Sequence, residues 1–155
     1  MNRREFLKGL GVTVAGIAIT PSVLSGYTHD TVFVLDVSGS MPVEQIQKII
    51  LEASNHNGLL ITFDMDIMDV IPLNKLTAST KLRGGAGTYF KAVDDYFADH
   101  ALNPRKTVVF TDGMIFDGWG QNMPQNTEFV FVTASSKYSV TPPYGKVTFM
   151  ESLDV

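Results

Sequence analysis

The feature that most constrains the fold of this sequence is a series of short apolar runs. Each is too brief to make a helix, and each ends at a polar or glycine-containing loop. Thr31–Leu35 reads TVFVL, Leu59–Phe63 LLITF, Thr107–Phe110 TVVF and Phe129–Val132 FVFV. Continuous rather than alternating hydrophobicity, rich in β-branched residues, is what a strand buried on both faces requires. Ile67–Ile71 and Val147–Met150 complete the series, and Asp64-Met65-Asp66 is short enough to be a hairpin turn before the former. Between the runs the period becomes helical. Pro42–Asn57 carries Val43, Ile46, Ile49, Ile50 and Ala53 at that spacing, with Pro42 suited to the first turn and Gly58 to the stop. Thr88 is suited to N-cap a helix from Tyr89 to about His100, with Tyr89, Phe90, Val93, Tyr96 and Phe97 on one face. Strands alternating with helices predict an α/β class fold, a doubly wound, mostly parallel sheet flanked by helices.

In such a sheet, ligands bind beyond the carboxyl ends of the strands. The first strand runs into Asp36-Val37-Ser38-Gly39-Ser40, the TVVF strand runs into Thr111-Asp112-Gly113, and Gly84-Gly85-Ala86-Gly87 delivers Thr88. Asp36, Ser38, Ser40, Thr88 and Asp112 are oxygen donors from three loops expected to converge on one edge. The first three point the same way if their loop stays extended. Carboxylates and hydroxyls without His or Cys suit a hard divalent cation, Mg²⁺ first, then Mn²⁺ or Ca²⁺. Only Asp36 and Asp112 are charged, so a bound metal would be under-neutralised and open to an external carboxylate.

Other readings of the same residues compete. Ser and Asp also favour turns and helix caps, and Thr88 can cap a helix as well as reach a metal. Asp64, Asp66 and Asp69 suggest a second metal site, but solvated carboxylates at a hairpin tip are the simpler reading. Asp64, directly after a strand, is the one that could stand behind the metal ligands. Met114–Trp119 is an apolar loop after Asp112, either a satellite core or an exposed surface where Phe116 and Trp119 contact a partner. The glycine run lacks the Lys-Ser/Thr ending of a phosphate-binding loop and provides backbone freedom beside the site.

At these residues the chain resembles the von Willebrand factor type A family. Its metal-ion-dependent adhesion site has the order Asp-x-Ser-x-Ser, a distant Thr, then an Asp within Thr-Asp-Gly. The likeness is greatest to the type-A-like domain at the C-terminus of predicted metal-dependent peptidases, through DVSGSM at 36–41, GGAGTYF at 84–90 and TPPYGKV at 141–147. It covers roughly residues 31–150 and implies a trimmed Rossmann-like domain, spanning 26–155, that holds Mg²⁺ through the five donors. It also implies a protein partner supplying a carboxylate, and a separate catalytic or assembly partner. Tyr89 departs from the subgroup, which has Asp after the Thr. The histidines (His29, His56, His100) are scattered and no HExxH motif is present, so peptidase activity is not implied.

Residues 1–25 differ in character. Met1–Lys8 (MNRREFLK) is a basic head, followed by a mild apolar run and small residues, the parts of a secretory signal. Arg3-Arg4 followed by Glu5-Phe6-Leu7-Lys8 resembles the twin-arginine signal, with Asn2 departing from its usual first residue. The run is too short to span a bilayer. Cleavage after Ser25 and export to a periplasm are therefore expected, the alternative being a cytoplasmic protein whose N-terminal helix packs on the domain. No transmembrane span is expected in the mature chain. Removing Arg3, Arg4 and Lys8 against Glu5 alone leaves a chain more acidic than the full-length net charge of −4, which argues against a nucleic-acid partner. The absence of cysteine excludes disulfides, thiol catalysis and Cys-based metal sites.

These residues predict a binding module that recognises an acidic group through its metal. A metal-dependent hydrolase, such as a phosphatase of the haloacid dehalogenase type, is the alternative. It needs a second Asp two residues after the first, where Ser38 stands, and no general acid or catalytic Lys accompanies it. A metal-free structural copy of the domain is the third reading.

Overall fold

The computed structural model describes residues 31–132 and 141–150. The expected signal segment, residues 1–25, and its cleavage position lie outside the described residues. In chain order the elements are β1 (Thr31–Asp36), α1 (Val43–Ala53), β2 (Gly58–Phe63), β3 (Ile67–Pro72), a 3₁₀ turn at Leu73–Lys75, α2 (Lys91–Asp99), β4 (Lys106–Thr111), β5 (Glu128–Phe131) and β6 (Lys146–Phe149). One sheet of order β3-β2-β1-β4-β5-β6 contains all six of these strands. Its pairings are parallel except for the β2–β3 hairpin, which turns at Asp64–Asp66 as expected.

The strand order places the candidate site. From β1 the chain leaves through α1 to β2 on one side, and it later returns through α2 to β4 on the other. Because parallel crossovers are right-handed, opposite directions of travel put the two helices on opposite faces of the sheet. β1 and β4 thus flank the point where the winding reverses, and a crevice opens at their carboxyl ends.

The apolar runs are continuous because both faces are covered. Val32, Val34, Leu59, Ile61, Phe63 and Val109 pack with Val93 and Phe97 of α2. The alternate residues Phe33, Leu35, Leu60, Val108 and Phe110 pack with Ile49, Ile50 and Ala53 of α1.

Two boundaries differ from the periodicity. α1 stops at Ala53, and Asn57 belongs to the turn that follows. Gly58 is not a helix stop but the first residue of β2. It sits at φ +137°, where a Cβ would stand 1.7 Å from the Thr31 carbonyl oxygen. The glycine is required by the close approach of β2 to β1. α2 begins at Lys91, with Phe90 in the N-cap position. Thr88 is therefore not the cap. Both oxygens of Asp117 take that role, accepting the backbone N–H groups of Phe90 and Lys91 at 2.8 Å each. A carboxylate from a distant loop satisfies the orphan donors and complements the positive end of the helix.

Among the described residues no helix is long and apolar enough to cross a membrane.

Candidate functional site

β1 delivers Asp36 at its last position, fully buried, and β4 delivers Thr111 beside it. The loop after β1 does not stay extended. It curls into a turn closed by the Met41 N–H donating to the Ser38 carbonyl at 3.1 Å. Convergence of the donors comes from that turn. The Ser38 N–H donates to Asp36 Oδ1 at 2.9 Å, a short-range turn of the kind Asp favours. The Ser38 and Ser40 hydroxyls lie 3.3 Å apart, and Ser40 donates to Asp112 Oδ2. Four of the five expected donors are thus joined in one hydrogen-bonded chain: Asp36, Ser38, Ser40 and Asp112. Helix capping does not use them, because Pro42 occupies the N-cap of α1.

Thr88 reaches the same edge through its backbone. It is buried, and its carbonyl accepts the Phe116 N–H at 3.2 Å from the loop that follows Asp112. The glycine run before it lies along the Asp36–Ser40 loop, with the Gly39 N–H on the Ala86 carbonyl and the Gly85 N–H on the Val37 carbonyl. A Cβ on Gly39 would stand 2.9 Å from the Gly85 carbonyl oxygen, so these glycines serve close backbone approach.

Asp64 is buried at the end of β2, where its carboxylate accepts the N–H groups of Met65, Asp66 and Ala86. It ties the hairpin to the glycine run. Asp69 is buried too, facing Arg83 at 3.5 Å. Of the three hairpin carboxylates only Asp66 is exposed, so the solvated reading holds for Asp66 and not for Asp69. Among the described residues no three His, Cys, Asp or Glu side chains form a metal cage. The Asp36 constellation, with two carboxylates and hydroxyls, is a donor set of another kind.

Sequence reasoning did not single out Thr111 or Asp117. Thr111 donates its hydroxyl to Asp36 Oδ2 at 2.7 Å and accepts the Gly113 N–H at 3.0 Å, fixing the second aspartate loop against the first. Its position in Thr-Asp-Gly directly after a strand was the available signal. Nothing local marks Asp117, whose partners lie 26 and 27 residues away.

The apolar loop after Asp112 divides between core and surface. Trp119, for which the loop left open a satellite core or an exposed partner contact, is only 5% exposed and belongs to the core. Its ring lies 5.4 Å from Phe90 and 5.1 Å from Phe129, centroid to centroid. Burying so large an apolar ring within the α2-side core outweighs leaving it in water. Tyr144, from the TPPYGKV stretch, holds it there by donating its hydroxyl to the Trp119 carbonyl. Phe116 is 70% exposed.

Electrostatically the site sets two carboxylates, Asp36 and Asp112, against each other. Burial pushes the Asp36 carboxyl above the usual carboxylate range. Hydrogen bonds from Ser38 and Thr111 offset part of the rise, and the charge of Asp112 adds to it. Neither donor to Asp36 is a cation. A hard divalent ion fits this chemistry, since it would neutralise two facing carboxylates and accept hydroxyl oxygens as ligands.

A family model described as VWA-like domain (DUF2201) matches residues 31–151. Comparison with curated proteins found no match.

Proposed function

The chain belongs to the VWA-like domain family, and from its site we propose that it is a metal-dependent binding module. Asp36, Ser38, Ser40, Thr88 and Asp112 would hold a Mg²⁺-type ion, with Mn²⁺ or Ca²⁺ as substitutes. The observation that carries this reading is the fully buried Asp36, facing Asp112 among serine hydroxyls, with neutral donors as its hydrogen-bond partners. Two carboxylates balance a divalent charge only formally, because Asp112 shares its oxygens with Ser40 and the Met114 N–H. The ion would supply Lewis acidity for an incoming oxygen ligand, and an Asp or Glu of a protein partner is the ligand of matching charge and hardness. The chain's residues bind and orient. The reading is therefore of binding, and a metal-dependent hydrolase is the alternative it competes with.

Residues 1–25 are proposed to be a twin-arginine-type signal that sends the domain to the periplasm. A mature N-terminus near Gly26, determined by mass spectrometry on protein from its native cell, supports export. Retention of Met1–Ser25 refutes cleavage.

The metal reading is tested by thermal unfolding with Mg²⁺ or Mn²⁺ against EDTA. Binding to the folded state alone raises Tm, by roughly 2.7 kcal/mol of added stability at a hundredfold excess over Kd. Asp36→Ala should abolish the increment. An equal increment in that variant removes the site as described.

A further inference from the structure

We infer that the partner segment carries a large apolar side chain beside its acidic residue, seated on an apolar rim around the candidate metal site; this rests on the binding reading above. The loops that bring the oxygen donors together also bring out Met65, Tyr89, Met114 and Phe116, all exposed. Met65, Tyr89 and Phe116 are neighbours, and Met114 lies two residues before Phe116 in the same loop. A Cβ placed on Gly87 would lie 3.6 Å from Phe116 Cε2 and 3.7 Å from Met65 Cγ, so Gly87 forms an open floor between those two side chains. The Tyr89 and Phe116 rings stand 6.1 Å apart, centroid to centroid.

The rim is built into the site. The Met114 N–H donates to Asp112 Oδ1 at 3.0 Å, the Phe116 N–H to the Thr88 carbonyl, and the Tyr89 N–H to the Asp64 carbonyl. Rim residues therefore alternate along the backbone with residues that hold the donors. Trp119 from the same loop is folded into the core, so the exposure of Phe116 is not a general failure of that loop to pack. Clustered exposed aromatic and methionine side chains mark a contact surface, and methionines adapt their shape to the surface they meet.

Charge decides the occupant. Met65, Tyr89, Met114 and Phe116 are uncharged, so the rim offers dispersion and desolvation, while an ion held by the oxygen donors would offer attraction for an anion. A segment satisfying both at once has Asp or Glu next to Phe, Leu, Met or a similar residue.

The test pans a random peptide library, displayed on phage, over the full-length protein in Mg²⁺ and elutes with EDTA. Phe116→Ser, Met65→Ser and, as a control on the far face of α1, Leu51→Ser are panned alongside. The expected eluate shares an acidic residue adjacent to a large apolar one. Recovery should fall about tenfold on Phe116→Ser or Met65→Ser and hold on Leu51→Ser, as truncating a buried anchor differs from truncating a bystander. Acidic sequences without an apolar neighbour, recovered equally by Phe116→Ser, overturn this inference and leave the metal reading standing. Recovery indifferent to EDTA overturns both. A dimer in sedimentation that Phe116→Ser dissociates overturns it in favour of a second copy of the chain.

Discussion

Asp36 carries a pH signature that separates the metal-free protein from the loaded one. Its carboxyl lies above its ordinary value of 3.8 in the fold. Such a group lends stability while protonated, below its unfolded-state value, and loses it as pH rises through the folded-state value. In metal-free buffer, Tm of the wild type should therefore fall relative to Asp36→Asn as pH climbs from about 4 to neutrality. Asn keeps the oxygen that accepts the Ser38 N–H while removing the buried charge. Added Mg²⁺ should reverse the order at neutral pH, since only the wild type gains from the ion. Parallel pH profiles of the two proteins would refute the buried-charge account. At the same scale, Trp119→Ala should cost about 3–5 kcal/mol in urea unfolding, the range for a buried aromatic. Phe116→Ala should cost little. Asp36, Ser38, Ser40 and Asp112 were legible from residue type and order, because each loop follows a buried strand whose end the sequence marks. The split between Trp119 and Phe116 was not, since an apolar loop reads the same whether a ring turns inward or outward.

Among the elements, α2 and the loop after β4 behave as one unit. Asp117 caps the helix from outside, and Asp94, buried on the helix, accepts the Asn122 backbone N–H at 2.7 Å and its side-chain amide at 2.8 Å. Both ends of the segment that follows Asp112 are thereby clamped to α2. Asp117→Ala should lower stability by about 1 kcal/mol, the usual value of a lost cap, measured by chemical denaturation. Because Thr88 and Asp112 lie on the segments it joins, the same variant should also weaken Mg²⁺ binding in a titration. A stability loss with unchanged metal affinity would confine Asp117 to a capping role. Local preference points to Thr88 as the cap, because threonine ranks well at that position. Tertiary contact placed a stronger, charged acceptor there instead.

The whole molecule is organised around β1. It lies between β2 and β4 and is covered by a helix on each face, while β6 forms an edge with half-exposed side chains. Amide hydrogen exchange should therefore be slowest in β1, β2 and β4 and markedly faster in β6. Uniform protection across the sheet would contradict a core centred on β1. Asp36 and Thr111 end two interior strands of this sheet, so their amides should be among the slowest to exchange.

By itself the sequence determined the strands, the layering and the reversal of winding. These depend on hydrophobic period and run length, which are properties of neighbouring residues. It also determined the order of Asp36, Ser38, Ser40, Thr88 and Asp112 along the chain. The tertiary structure alone decided that the first loop curls rather than extends, that Thr111 braces Asp36, and that Asp117 caps α2 from 26 residues away. It also decided that one ring of an apolar loop is core and another is surface. Each of these outcomes is set by which partner wins a buried hydrogen bond or a place against the sheet, and that competition takes place between residues distant in sequence.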